Sequence, residues 1–165
     1  MVIILEGCDG TGKTTLAEFL CRLIPDSIII HCTRETPNTL EWFYDIISNA
    51  KVANKTLILD RGIYGQFVYQ EKSERNLSYE DLENLESYLK SIDARVIWVD
   101  ANKKDIEARL SARSEELSVP FGTIQNRYED LFENSMLDVI HLNTSNFGVH
   151  YCNNKTIRGG NYCAI

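Results

Sequence analysis

Eight consecutive residues, Gly7-Cys8-Asp9-Gly10-Thr11-Gly12-Lys13-Thr14, fit the spacing G-x-x-x-x-G-K-S/T in full. That spacing describes a cradle for phosphate. Gly7, Gly10 and Gly12 let backbone N–H groups turn inward toward phosphate oxygens. A helix starting at once behind them, through Thr14 and Thr15, points its positive end at the same place. Lys13 reaches the β- and γ-phosphates of a triphosphate, and the Thr14 hydroxyl binds Mg²⁺. Thr11 completes the loop. Asp9 is unusual here, because a carboxylate among phosphate oxygens is repulsive. It reads either as a turn residue or as a contact to a second substrate's hydroxyl or to Mg²⁺.

A second set of charged residues follows two apolar runs. Thr33-Arg34-Glu35-Thr36-Pro37 comes after one and Asp60-Arg61-Gly62 after the other. Arg34 and Arg61 opposite a phosphate cradle predict a second bound anion, held by bidentate N–H contacts. Arg109 and Arg113 lie four residues apart, ahead of a polar stretch. They predict a mobile positive segment, a lid over about 109–122, that offsets charge on a phosphoryl group in transit. The bland alternative is a solvated helix face with Glu107 and Glu116 as partners.

These residues need a scaffold, and the hydropathy pattern supplies one. Short apolar runs predict strands over 2–5, 27–32, 56–59, 95–99 and 137–142. Between them, apolar residues at helical spacing predict helices over 14–23, 39–50, 64–71, 103–113 and 122–132. Leu16, Phe19, Leu20 and Leu23 form the inner face of the first. Ser78-Tyr79-Glu80-Asp81 reads as a capping box that opens a further helix carrying Leu82, Leu85 and Leu89. Strands alternating with helices predict a three-layer α/β fold with a five-stranded parallel sheet. Ligands of such sheets bind at the carboxyl ends of the strands. The groups named above all fall there, with Asp100 and Asn143 beside them. From Thr144 on, the pattern fades into an irregular tail.

The chain has 165 residues, which suits a single domain spanning 1–165. Its net charge of −7 argues against a broad nucleic-acid-coating surface, though not against a local basic pocket. The five cysteines form no CxxC pair and accompany no secretion signal. They read as reduced thiols of a cytoplasmic protein, with Cys8 inside the loop as a candidate for thiol sensitivity. No run is long enough for a membrane helix.

Taken together, the motifs resemble the thymidylate kinase family. Glu6 to Thr15 is similar to its E-G-x-D-G-x-G-K-T-T. Thr33-Arg34-Glu35 with Pro37 looks like its T-R-E-P. Asp60-Arg61 followed by Tyr69-Gln70 looks like its D-R-Y/H and A-Y-Q. Val99-Asp100, Arg109 and Arg113 resemble the stretch entering its lid, and Arg127-Tyr128 the R-Y that follows. The matches run in order from residue 2 to about 142. The resemblance implies that Asp9 contacts the acceptor's 3′-hydroxyl or the metal shell. It implies that Arg34 and Arg61 hold the acceptor monophosphate, with Asp60 near Mg²⁺. Gln66 falls where the family contacts the base, and Tyr69 where a ring packs beneath the deoxyribose. Phe43 or Trp42 falls where a ring stacks on the base, and residues 143–146 near the donor adenine. The family is commonly dimeric, so a homodimer is implied.

Several features depart from that family. No arginine stands between Pro37 and Thr56, where the family reads the thymine edge. Gly65 replaces a common serine, the segment after Arg113 lacks the usual acidic-arginine sequence, and the closing helix gives way to the tail. These departures weaken the thymine assignment more than the kinase assignment. The expected activity is ATP- and Mg²⁺-dependent transfer of a phosphoryl group to a deoxynucleoside monophosphate, a step of nucleotide biosynthesis. One alternative acceptor is a hydroxyl of a deoxynucleoside or of a modified base in DNA, with Glu35 or Asp60 as base. DNA therefore stays open as an acceptor. A second alternative is a nucleotide-binding protein without transfer activity.

Overall fold

A computed structural model describes residues 1–33, 35–70 and 75–146, and the backbone of 148–151. Five strands are parallel: β1 (Val2–Glu6), β2 (Ser27–His31), β3 (Thr56–Asp60), β4 (Arg95–Asp100) and β5 (Val139–Asn143). They lie in the order β2-β3-β1-β4-β5, flanked by helices on both faces. This is the three-layer α/β architecture expected from the alternating pattern. The addition is β6 (Gly148–Tyr151), which pairs antiparallel with β5. Gly and polar residues break its apolar alternation, so sequence pattern alone leaves it unread.

Every residue of β1 is buried, as a central parallel strand covered on both faces must be. One face carries Ile4, Leu57, Leu59, Val96 and Trp98, and packs against α2 (Leu40–Val52), α3 (Gly65–Tyr69), α4 (Tyr79–Ser91) and α6 (Phe121–Glu133). The other carries Ile3, Leu5 and Ile58 and packs against α1 (Lys13–Leu23). The inner face of α1 is Leu16, Ala17, Leu20 and Cys21. Phe19 and Leu23, expected on that face, are instead 54% and 60% exposed. The helix begins at Lys13, and its strict turn leaves these two on the flank.

The predicted capping box of α4 is complete. Asp81 N donates to Ser78 Oγ at 3.1 Å, and Ser78 N donates back to Asp81 Oδ2 at 2.9 Å. A short helix, α5 (Lys103–Ser111), packs Ile106 and Leu110 into a small cluster with Ala101 beside the phosphate loop. Among the described residues, no helix is long and apolar enough to cross a membrane.

Candidate functional site

The parallel register aligns the carboxyl ends of β1, β3 and β4, and the loops that leave them meet at one edge. Gly7 follows β1 with φ +143°, and a Cβ there would lie 2.0 Å from the Val99 carbonyl oxygen. Only glycine lets the loop leave β1 this close to β4. Gly12 caps α1 in the left-handed region at φ 93°. Thr15 lies exposed on the first turn of α1.

The loop's carbonyls are turned away by specific donors. Thr11 Oγ1 and Lys13 Nζ donate to the Cys8 carbonyl at 2.8 and 2.6 Å. Thr144 Oγ1 donates to the Thr11 carbonyl at 2.8 Å. Arg109 Nη1 donates to the Gly10 carbonyl at 3.0 Å and to Thr144 Oγ1 at 3.1 Å. Carbonyls held outward leave the intervening N–H groups for an anion. Burial lowers the Lys13 ammonium to about 8, the strongest influence on it, with Arg61 adding to the effect.

Glu6 anchors the loop from below. Its Oε1 accepts from the backbone N–H groups of Gly62 and Tyr64 at 2.9 and 3.1 Å. The Tyr128 hydroxyl lies 3.2 Å from Oε2 and 3.3 Å from the Gly7 carbonyl. Burial pushes the Glu6 carboxyl up to about 7 against these stabilising bonds. Arg127, beside Tyr128, donates to the Val68 carbonyl of α3 at 2.6 Å.

Asp60 is buried at the end of β3, and Thr14 Oγ1 donates to its Oδ2 at 2.7 Å. His31 Nδ1 stands 2.7 Å from the same oxygen, and its ring is half exposed. Asp60 Oδ1 is buried with no hydrogen-bond partner. A hydroxyl and a carboxylate with an unsatisfied oxygen fit a hard cation such as Mg²⁺. The described residues hold no cluster of three or more His, Cys, Asp or Glu suited to a metal.

A cleft of about 580 Å³ opens in front of these groups. Asp9 and Arg61 line it, joined by an ion pair. Burial, the largest single influence, lowers the Arg61 guanidinium, but the charge and hydrogen bond of Asp9 outweigh it with the help of smaller neighbours, and the group stands above its ordinary range. Arg61 adopts φ 70°, a left-handed conformation uncommon for a residue other than glycine. His31, Asn38, Gln66, Tyr69, Gln70, Ser118 and Val119 also line the cleft. The last two belong to the stretch between α5 and α6, where the lid was expected.

The expected site residues are distributed unevenly. The loop residues, Asp60, Arg61, Gln66 and Tyr69 come together. Arg109 reaches the loop backbone, whereas Arg113 pairs with Glu115 at 3.1 Å on the surface. Glu35 is exposed in a turn where its N–H donates to Thr33 Oγ1 at 3.2 Å, and it is not among the cleft's lining residues. Phe43 is 1% exposed, packed into the core on the inner side of α2 with Ile47, and it does not line the cleft. Trp42 meets Phe43 edge-on and is half-buried. Near the expected donor-base loop, Ser145 N donates to Asn143 Oδ1 at 3.0 Å. Arg34, Cys152 and Cys163 lie outside the described residues.

His31 and Asn38 are not picked out from sequence, and Thr144 falls only within the stretch 143–146 that the resemblance puts near the donor adenine. Reading β2 through Cys32 placed His31 inside the strand, one residue short of the ligand edge. Register supplies the missing signal, because His31 pairs with Asp60 across β2 and β3.

No family model matches the chain, and no curated protein matches it. Solved structures do. One is the YorR protein from Bacillus subtilis, in complex with phosphorylated GDP. It is 25% identical over 87% of this chain and 86% of its own, with a TM-score of 0.68. Another is deoxyadenosine kinase from M. mycoides with bound dCTP, 18% identical over 88% of this chain and 90% of its own, with a TM-score of 0.51. The same enzyme with bound dATP aligns at 18% identity over 81% and 85%, with a TM-score of 0.50. The sheet order, the glycine-rich loop after β1 and these neighbours together identify the fold as that of the P-loop nucleotide kinases.

Proposed function

We propose that the chain transfers the γ-phosphoryl group of ATP to the phosphate of a deoxynucleoside monophosphate. The observation that carries this reading is the placement of Arg61 in the cleft beside the phosphate loop, where it meets Asp9. A guanidinium there suits a second phosphate facing the first. The structural neighbours, which bind nucleotides, support it.

In this mechanism the loop N–H groups and Lys13 hold the donor's phosphates. Lys13 leaves the Cys8 carbonyl to do so. Thr14 and Asp60 would hold Mg²⁺, which would supply charge neutralisation at the transferring phosphate. Arg61 leaves Asp9 to grip the acceptor phosphate, which frees Asp9 for the acceptor's sugar hydroxyl. Arg34 joins Arg61 at that phosphate. The acceptor is already an anionic nucleophile, so positioning and charge stabilisation suffice. Arg109, Arg113 and the stretch to residue 122 close over the transferring group. The working protein is cytoplasmic and pairs as a homodimer.

A second reading, transfer to a hydroxyl of a deoxynucleoside or of DNA, is favoured by one observation. Asp60 Oδ1 is an unpartnered carboxylate oxygen at the strand end, apt for a base as well as for a metal. Glu35, the other candidate base, does not line the cleft.

The test is ADP release from ATP and Mg²⁺ across deoxynucleoside and ribonucleoside monophosphates, nucleosides, and DNA with ordinary or hydroxymethylated pyrimidines. Turnover of a deoxynucleoside monophosphate, lost on the order of 100- to 1000-fold in Lys13→Ala, is the expected result. Turnover of nucleosides or DNA alone selects the second reading. ATP binding without any transfer makes the chain a nucleotide-binding protein that is not a kinase.

A further inference from the structure

We infer that the acceptor end of the cleft selects a base carrying an exocyclic amino group over one with a carbonyl in its place. This rests on the transfer reading above and adds the class of base to it. The argument comes from the amide side chains that wall the cleft.

Asn38 precedes α2 in a left-handed conformation, φ 48°. Its Nδ2 donates to the Thr33 carbonyl at 3.3 Å. Its own carbonyl accepts from Gln66 Nε2 at 2.5 Å. Gln66 Oε1 accepts from the Asn76 N–H at 2.9 Å, and Asn76 Nδ2 donates to the Pro37 carbonyl at 3.1 Å. These backbone partners fix which way each of the three amides faces. Gln66, the position expected to read the base, has both ends of its amide engaged by the protein.

Three groups on the described cleft wall are left without a partner, the Tyr69 hydroxyl and two amide oxygens. Asn38 Oδ1 and Gln70 Oε1 are buried and have no donor. Both residues line the cleft that holds Asp9 and Arg61. An unmet buried acceptor is unfavourable, and a ligand N–H that reaches it removes the penalty. Among the described lining residues, Arg61 is the sole Lys or Arg, and it already faces Asp9. The two amide oxygens therefore favour N–H groups on a base, while the Tyr69 hydroxyl can meet a donor or an acceptor. Thymine and uracil present two carbonyls around a single N–H. Cytosine, adenine and guanine each bring an amino group with two hydrogens. A site built to hydrogen-bond one group discriminates strongly against an analogue lacking it.

Matched substrates test this. The pairs dCMP and dUMP, and dAMP and dIMP, each differ at the amino position. Turnover with ATP and calorimetric Kd are measured for all four. The expected result is at least about a tenfold advantage for the amino member of one pair, in kcat/KM and in Kd. Asn38→Gly removes the amide yet tolerates the positive φ, and Gln70→Met keeps the volume while removing the acceptor. At least one of them should cut the advantage about fivefold or more. Equal or better use of dUMP and dIMP overturns the inference while leaving kinase activity intact. So does an advantage that survives both variants. If nothing is phosphorylated but dCMP or dAMP still binds better than its partner, the transfer reading fails and the base preference stands. Binding of none of the four overturns both.

Discussion

Arg61, at the end of β3, closes an ion pair with Asp9, 52 residues earlier in the phosphate loop. The pair joins the two strand ends that bracket the cleft. It also holds Arg61 in a backbone conformation that side chains avoid, φ 70°. A residue strained at a ligand edge is what a site keeps when function outweighs local stability.

That strain predicts a difference between two substitutions that remove the same guanidinium. Arg61→Gly should be more stable than Arg61→Ala by about 1 kcal/mol, because glycine tolerates positive φ. Thermal unfolding should show the glycine variant melting about 2–4 °C higher. Both variants should lose at least about 100-fold in kcat/KM toward the acceptor. An alanine variant that melts at or above the glycine variant contradicts the strain argument.

Thr144 links the loop to Arg109 through its hydroxyl, donating to the Thr11 carbonyl and accepting from the guanidinium. Thr144→Val keeps the shape and removes the hydroxyl. The KM for ATP should rise about fivefold, the worth of about one hydrogen bond, with kcat changed less than about twofold. Thr144→Ser should restore it. An unchanged KM in the valine variant removes Thr144 from loop positioning.

Glu6 should leave its mark on stability against pH. Its carboxyl is raised to about 7 in the folded protein, from an ordinary value of 4.5. Between those values the folded state holds a proton that the unfolded state has released. Stability from this group is therefore full below about pH 4.5 and is lost as pH rises through about 7. Glu6→Gln should lose that slope, since it keeps an oxygen for the Gly62 and Tyr64 N–H groups. Urea unfolding at several pH values from 5 to 8 checks this. A parallel slope in both proteins assigns the pH dependence elsewhere.

Cys8 should resist alkylation despite its place in the loop. It is 1% exposed, and burial pushes its thiol up to about 11. Thiolate is the reactive form, so iodoacetamide at pH 8 should label the more accessible Cys21 well before Cys8. Peptide mapping reads the order directly. Fast labelling of Cys8 would restore the expectation of thiol sensitivity.

Much of the scaffold is legible from the sequence because local rules agree with one another there. The buried strands are unbroken apolar runs, and α4 opens on a capping box whose two bonds both form. The phosphate loop needs only its spacing and the strand before it. The failures have physical causes. Phe43 has the character of a stacking ring, but helical phase sends it to the core with Ile47. Phe19 and Leu23 have apolar character without the phase to bury it. Asn38 and Thr144 act through hydrogen bonds to distant residues: the Asn38 carbonyl accepts from the Gln66 side chain 28 residues away, and Thr144 donates to the Thr11 carbonyl 133 residues away. Spacing along the chain does not record such contacts.

The sheet order has a consequence for how the chain folds. β1 lies between β3 and β4, with Ile3 beside Ile58 and Ile4 beside Val96. Neither neighbour is local, and closing such loops is slow. A ribosome releases the glycine-rich segment before either flanking strand, and both must emerge before that segment has a frame. Until β4 arrives, a largely apolar strand stays unsheltered and prone to association. The phosphate-binding residues of this loop thus leave the ribosome ahead of the strands that organise them.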